Sequence, residues 1–502
     1  MINRILTVIA LLAISVGIWQ LLAARHGLEM TATQANGVPV TVYQSQVTEP
    51  APVVVIAHGF AGSQQLMQPF AVTLARNGYI AISFDFPGHG RNPEPLPGGL
   101  LNYEQRTESL LAALEQVMDF ASEWPGSDGR LALLGHSMAA DVLMRYAAGH
   151  PEVAATVAVS PYIHETEMET VGNLLIIYGA LEPAELREMG KQLVAAKIGR
   201  PTELGVTYGA FAEGSARRVA LAAGAEHIGV LYAEDSLRES LEWLDQTFQR
   251  SGEGFIDARG LWLALLLLGV VLLVRPLSRL LPEVAPKPVG GGYHGRWFWV
   301  LVLAPAVLTP LLLWPLPHRF LPLLLGDYLV LHFALYGVLT TLGMGWLRAK
   351  RIAQPVSVAY WALVVAVVAA TLVVTLAVAL PMDAFIASFI PTGQRIPLVW
   401  AMFAGTLWFF CADEWLTRNG PRAAYLITKL AFLLSLILAI ALNLRELFFL
   451  LIIIPAILLF FIVYGLFSRW LYQRTQHPWV AGLANAFAFA WAIAVTFPVV
   501  GD

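Results

Sequence analysis

The chain has 502 residues, of which 57% are hydrophobic and 13% charged, and a mean hydropathy of +0.64; an ordinary soluble enzyme is excluded and membrane segments are required. Charge is unevenly divided: residues 30–255 hold 13 Lys or Arg against 26 Asp or Glu, and the remainder holds 18 against 9. An acidic soluble domain is thus joined to a basic apolar part, nucleic-acid binding is excluded by the lack of a basic patch on the soluble part, and the single cysteine, Cys411, excludes an intrachain disulfide.

Residues 5–24 are an apolar run behind Arg4, long enough to span a hydrocarbon core about 30 Å thick. The run exceeds the usual apolar stretch of a signal peptide and no A-x-A-like site follows it, so segment 1–29 reads as an uncleaved anchor. From 30 to 255, short apolar runs alternate with helical patterns, which predicts a parallel sheet flanked by helices. Strands are expected at 53–57 (VVVIA), 79–85 (YIAISFD), 131–134, 154–159, 173–178 and 218–222. Helices are expected at 65–77, 103–124, 138–148, 183–196 and 236–248; in 103–124, Leu110, Leu114 and Val117 recur at helical spacing. The first strand ends in His58-Gly59-Phe60 and the second in a glycine-rich turn, DFPGHG at 85–90. A proline- and glycine-rich loop, 92–102, follows and has room to overhang a site.

Beyond 254 the chain reads as an all-α polytopic transmembrane domain, 256–502. Eight further spans are expected near 260–280, 297–316, 321–346, 356–380, 397–415, 423–442, 447–467 and 479–499. With a cytoplasmic amino terminus, the inside connections and span ends hold twelve basic residues against five outside. This bias places the soluble domain and the carboxyl terminus outside, as expected of a bacterial inner-membrane protein. Asp327, Tyr328 and His332 fall within one span as a candidate intramembrane polar site, with 328 and 332 on a shared helix face. Lys429 is expected to snorkel to the cytoplasmic surface, and Asp413 and Glu414 to be solvated near a span end.

The stretch RLALLGHSMAAD, 130–141, carries the chemistry. A strand-like run ends at Gly135, Ser137 sits between small residues, and a helical pattern begins at Met138. A serine on such a sharp turn projects its hydroxyl clear of the sheet. A hydroxyl is a weak nucleophile, so the chemistry further needs a base, an acid to orient that base, and donors for an oxyanion.

The HGF turn at 58–60, the DxxGxG turn at 85–90 and the GHSMA elbow make 53–249 resemble α/β-hydrolase-fold enzymes, and its compact size resembles the dienelactone hydrolase-like branch. The resemblance implies an α/β, doubly wound, mostly parallel sheet with Ser137 as nucleophile and His227, in GAEHIGVL, as base. It implies an acid after the strand that follows the elbow unit. Glu182, three residues after Gly179, is the choice and Glu185, one turn on, the competitor; Ser137, Glu182, His227 is the chain order this fold uses. The oxyanion donors would be the backbone N–H groups of Phe60 and Met138. His58 and His136 then belong to the turns, His89 and His150 to loops, and His164 to a pocket mouth. The resemblance covers about two fifths of the chain and is silent on the eight later spans.

The expected function is a membrane-embedded serine hydrolase that cleaves a carboxylic ester, of a lipid or an acylated amphipathic molecule, through an acyl-enzyme on Ser137. An acyltransferase would use the same acyl-enzyme. A transporter or channel-like protein would use the hydrolase-like domain to bind without turnover. Neither HExxH nor a cysteine cluster is present, so no metal site is expected, and no cofactor is implied. The expected partners are the lipid bilayer and an amphipathic substrate.

Overall fold

The computed structural model describes residues 2–46, 49–99, 102–163, 171–317, 319–348 and 357–501. The chain forms two compact units. One comprises Val16–Leu265 with the short segments Met382–Ser388 and Pro498–Asp502; the other comprises Met1–Ser15, Leu266–Pro381 and Phe389–Phe497.

The first unit is built on an eight-stranded sheet in the order β1-β2-β4-β3-β5-β6-β7-β8. Strands β1 (Leu28–Ala35) and β2 (Val38–Ser45) pair antiparallel, and β2 pairs antiparallel with β4 (Ile80–Phe84). Strands β3 (Ala51–Ala57), β5 (Ser127–His136), β6 (Val153–Val159), β7 (Asn173–Gly179) and β8 (Arg217–Ala222) run parallel with β4. The hairpin β1–β2 is absent from the expected strands. Its turn, Asn36-Gly37, has positive φ at both residues, as a two-residue hairpin turn requires. The exposure of most of β1 leaves no apolar run to reveal it.

Strands β3 and β7 are buried along their whole length, which is why they read as continuous apolar runs. Successive side chains of β3 still alternate between two cores: Val53 and Val55 join one with Leu114, Leu133 and Leu143, and Val54 and Ile56 the other with Phe70, Leu134 and Trp243. Helices α3 (Tyr103–Ser122) and α4 (Met138–Gly149) cover the first face; α2 (Gln68–Arg76) and α6 (Glu234–Phe248) cover the second. Each fully buried aliphatic side chain contributes about 1.5–3 kcal/mol, and the outcome is a rigid strand edge from which the functional loops project. The expected helix at 65–77 opens as a 3-10 turn, Gln64–Met67, before α2. Helix α5 (Ala184–Ile198) follows β7.

Two later segments complete this unit, which the sequence pattern does not foretell. The Ser388 N–H donates to Ser63 Oγ at 2.8 Å and the Ser388 hydroxyl to Gln65 Oε1 at 2.9 Å, holding the turn after β3. The Leu96 N–H donates to the Val499 carbonyl and the Val499 N–H to that of Gly88. Loop 92–99 is anchored in this way through the buried Leu96. Residues 100 and 101 of that loop, and His164, lie outside the described residues.

The second unit is helical. With α1 (Ile2–Ala23), the described residues contain nine helices long and apolar enough to cross a membrane. The other eight are α7 (Gly260–Ser278), α8 (Gly295–Leu313), α9 (Gly326–Arg348), α10 (Tyr360–Phe385), α11 (Ile396–Thr417), α12 (Ala424–Leu442), α13 (Leu444–Thr475) and α14 (Pro478–Thr496). Two sequence expectations fail here. Lys429 does not snorkel: it is buried, its Nζ pairs with the Asp413 carboxylate, and it lies over the Tyr425 ring at 4.4 Å. Asp413 and Glu414 are not solvated either; Glu414 is buried and accepts from Arg418 Nε at 3.0 Å and from the Ser468 hydroxyl. A neighbouring helix brings Lys429 to Asp413, one helical turn brings Arg418 to Glu414, and pairing these charges is far cheaper than burying either alone.

Candidate active site

The elbow follows from local sterics. Ser137 has φ 54° and ψ −117° between the end of β5 and the start of α4, a left-handed conformation that costs a non-glycine residue about 1–3 kcal/mol. Its N–H donates to the Val159 carbonyl at 2.8 Å, tying the turn to β6. A Cβ on Gly135 would sit 2.5 Å from Leu143 Cδ1 and 3.2 Å from the Ala139 carbonyl carbon, so a larger residue would have to push Leu143 and the helix start aside where strand and helix meet. Ala139 is buried in the same corner, and its methyl group serves where the commoner pattern has glycine.

His227 lies on the loop after β8. Its Nε2 is 3.0 Å from Ser137 Oγ and its Nδ1 2.7 Å from Glu182 Oε1. The carboxylate fixes the tautomer: Nδ1–H donates to Glu182, and the lone pair on Nε2 faces the serine hydroxyl. Gly179 allows the approach, because a Cβ there would lie 2.4 Å from the Ala225 carbonyl oxygen. Glu182 is buried, with a side chain 1% exposed, whereas the His227 side chain is 35% exposed. The other Glu182 oxygen, Oε2, accepts from the Ser160 hydroxyl at 2.7 Å and from the Gly179 N–H at 2.6 Å. Burial alone would raise this carboxyl, but the hydrogen bonds from His227, Ser160 and Gly179 outweigh it and hold the group below the usual carboxylate range.

Two further histidines shape the turns. Burial, reinforced by the neighbouring His227, pushes His136 down to about 3, so its ring is neutral. Its Nε2–H donates to the His227 carbonyl at 2.9 Å, and the two ring centroids are 4.9 Å apart. His58, also lowered by burial, donates Nδ1–H to the Gly59 carbonyl at 2.8 Å and accepts the Phe86 N–H at Nε2. The Asp85 carboxylate accepts from the backbone N–H groups of Gln64 and Arg91, and a Cβ on Gly90 would lie 2.4 Å from it. The result is a fixed His58-Gly59-Phe60 turn pressed on the elbow, where a Cβ on Gly59 would meet Ser137 Cβ at 3.0 Å. Met138 opens α4, where a backbone N–H has no intrahelical partner. A hydroxyl, a neutral imidazole and an ionised carboxylate in one hydrogen-bonded line can pass a proton from the first to the second while the third stabilises the charge.

Of the residues singled out in sequence, Ser137, His227 and Glu182 are brought together, with Phe60 and Met138 on the two turns beside them. Glu185 is exposed on the first turn of α5. His150 bonds the Tyr146 carbonyl at the end of α4, away from any such line, and His89 is buried with its Nδ1 on the Pro87 carbonyl. Ser160 is the residue that sequence reasoning misses. It directly follows β6 with φ 48°, and its link to Glu182 spans 22 positions of chain, so no local pattern announces it.

In the helical unit, Tyr328 Oη is 3.2 Å from His332 Nδ1, and His332 Nε2 is 3.1 Å from Ser435 Oγ. Asp327 Oδ1 accepts the Tyr328 N–H. His332 is fully buried among Tyr336, Phe432 and these partners. Among the described residues, no group of three or more His, Cys, Asp or Glu is arranged to hold a metal ion.

The family model described as serine aminopeptidase, S33, matches residues 48–186, a span that contains Ser137 and Glu182 but ends before His227. Two curated relatives are 25% identical over 143 residues: cutinase 1 of Thermobifida cellulosilytica and a cutinase of Thermobifida fusca. That match covers 28% of this chain and 51% and 44% of those proteins, so the chain spans about half the length of the curated relatives it matches. Among solved structures, a putative dienelactone hydrolase from Klebsiella pneumoniae is 17% identical and aligns over 44% of this chain and 99% of its own, with a TM-score of 0.32. A predicted CIB-like hydrolase from Thermoplasma acidophilum is 16% identical over 43% of this chain and 97% of its own, with a TM-score of 0.33. The sheet order, the crossovers and the family match together make the amino-terminal part of this chain an α/β-hydrolase fold, followed by an all-helical region with several long apolar helices.

Proposed function

We propose that the protein is a membrane-embedded serine hydrolase that cleaves carboxylic esters of lipid-like or acylated amphipathic molecules. The observation that carries this reading is the unbroken line from Ser137 Oγ through His227 to Glu182, on a serine held in a strained turn. His227 takes the hydroxyl proton as Ser137 Oγ attacks the ester carbonyl. The N–H groups of Met138 and Phe60 receive the oxyanion, each such donor contributing about 3–4 kcal/mol to the barrier reduction. His227 then protonates the departing alcohol, and water releases the acyl group from Ser137 by the reverse proton path. Glu182 stays ionised and stabilises the imidazolium.

Three exposed apolar side chains favour an amphipathic substrate: Leu181 beside Glu182, Ile228 beside His227, and Tyr162 two residues past Ser160 are 67%, 45% and 54% exposed. Apolar groups left in water around polar machinery are what a greasy substrate would cover. The likeness to proteins named cutinase favours an ester over the amide that the family description suggests. The nine apolar helices support membrane embedding, and the excess of basic residues in alternate connections supports a hydrolase unit outside the cytoplasm. The test uses full-length protein in phospholipid vesicles with matched p-nitrophenyl esters and p-nitroanilides of medium-chain acids. Ester turnover, with a fluorophosphonate adduct that peptide mass spectrometry localises to Ser137, is expected; an adduct elsewhere, or none, sinks the reading.

A further inference from the structure

Within the helical unit, α9, α11 and α14, with Tyr293 ahead of α8, line a half-open cavity of about 540 Å³ on the side where α9 and α11 end and α14 begins. A cavity of that volume lies within the range of ordinary ligand sites. Its wall is apolar and aromatic, with Trp408, Trp415, Trp479 and Cys411 among the lining side chains. Among the described residues that line it, the charged one is Arg348, exposed at the last turn of α9, and none is a carboxylate. An apolar cavity does not hold water stably, and in a bilayer the species available to fill it is hydrocarbon. The aromatic rings belong at the depth where a headgroup meets the acyl region, and an arginine there recognises phosphate.

We propose that this cavity binds one acyl chain of an anionic phospholipid, with Arg348 on the headgroup phosphate. The proposal rests on the membrane reading above but not on the hydrolase chemistry. Charge decides between headgroups: the Arg348 guanidinium at the rim favours a lipid with net negative charge over a zwitterionic one, whose own ammonium it would repel. Gly345 offers a clean way to close the site. A Cβ at Gly345 meets no atom within 4 Å although the residue lines the cavity, so Gly345→Trp fills space rather than displacing neighbours, and losing a helical glycine favours folding.

The experiment places the full chain in phosphatidylcholine vesicles containing a minor fraction of phosphatidylglycerol with a diazirine near the middle of one acyl chain. After irradiation, labelled peptides are mapped by mass spectrometry. The expected result is label concentrated on the peptides carrying Leu407 to Trp415 and Trp479 to Leu483, about tenfold above peptides of other apolar helix faces. Gly345→Trp removes this excess, whereas Leu342→Trp, an exposed position on the same helix outside the cavity, leaves it intact. Arg348→Gln lowers the excess several-fold for the phosphatidylglycerol probe and not for a phosphatidylcholine probe. Even labelling of all apolar faces, or an excess that survives Gly345→Trp, overturns the site while leaving the membrane reading standing. No label on any helix overturns both.

Discussion

His227 and His332 look alike by inventory and differ in everything that decides function. Each imidazole has both ring nitrogens engaged, His227 by a hydroxyl and a carboxylate and His332 by two hydroxyls. His332 is fully buried between two neutral groups, Tyr328 and Ser435, so its hydrogen bonds are symmetric and closed to any reactant. His227 stands between an ionised carboxylate and a serine held in a strained turn, with a third of its side chain open. Hydrogen-bond count therefore does not separate the two histidines; asymmetry of charge and access does.

Removing the serine gives the largest expected contrast. Ser137→Ala should reduce ester turnover by roughly 10⁶-fold, the scale on which a triad fails as a unit, with no change in thermal stability. His332→Leu should leave the rate per folded molecule unchanged and cost about 1–3 kcal/mol of stability through the hydroxyls it strands. A His332→Leu variant that folds normally and has lost turnover would collapse the distinction. Next in size is Glu182→Gln, expected to lower kcat by about 10⁴-fold because the amide no longer fixes the productive tautomer or balances imidazolium. Glu185→Gln, on an exposed turn, serves as the control and should leave kcat within twofold, about 0.4 kcal/mol.

The charged pair of the helical unit tests the same contrast through stability. Lys429→Met strands the buried Asp413 carboxylate and should cost about 3–5 kcal/mol, read as a lower melting temperature in detergent with unchanged labelling of Ser137 per folded molecule. Lys429→Met with Asp413→Leu should recover most of that loss, since replacing both charges by apolar groups removes the desolvation cost. If the double variant melts no higher than the single one, the pair is not what stabilises this region.

These expectations also mark what the sequence conveys. The elbow and the turns of 58–60 and 85–90 are legible because each is fixed by a few adjacent residues at the end of an apolar strand, whereas His227 and Glu182 are legible through the chain order that the resemblance implies. The β1–β2 hairpin escapes because β1 is solvent-facing and carries no apolar period. The partners of Lys429 escape because the choice between snorkelling and pairing depends on which helix lies alongside, and 16 positions separate it from Asp413. Ser160 escapes for the same reason, since its meaning is a contact across the sheet. Ser160→Ala should lower kcat about tenfold, consistent with losing one hydrogen bond to a charged group. It should also raise the titration of the Glu182 carboxyl, read by carboxyl NMR, because that group loses a donor that holds it low.

The smallest effect on turnover concerns His136, which borders His227 yet takes no proton in the proposed cycle. Its ring is neutral when folded, with a value pushed down to about 3 by burial, against an ordinary value of 6.5. As pH falls below 6.5 the unfolded chain gains a proton there that the folded chain refuses. Folding then loses up to about 1.4 kcal/mol per pH unit from this one residue, and the loss continues down to about pH 3. Above 6.5 both states are neutral and the residue contributes no slope. Gln places an N–H close to the position of Nε2 and keeps the bond to the His227 carbonyl without a titrating group. His136→Gln should therefore retain turnover within a few-fold at neutral pH and lose activity irreversibly at a lower pH than the parent on acid exposure. An acid midpoint that does not move would mean that His136 is already charged in the folded state, and the quiet neutral neighbour on which the orientation of His227 depends would have to be sought elsewhere.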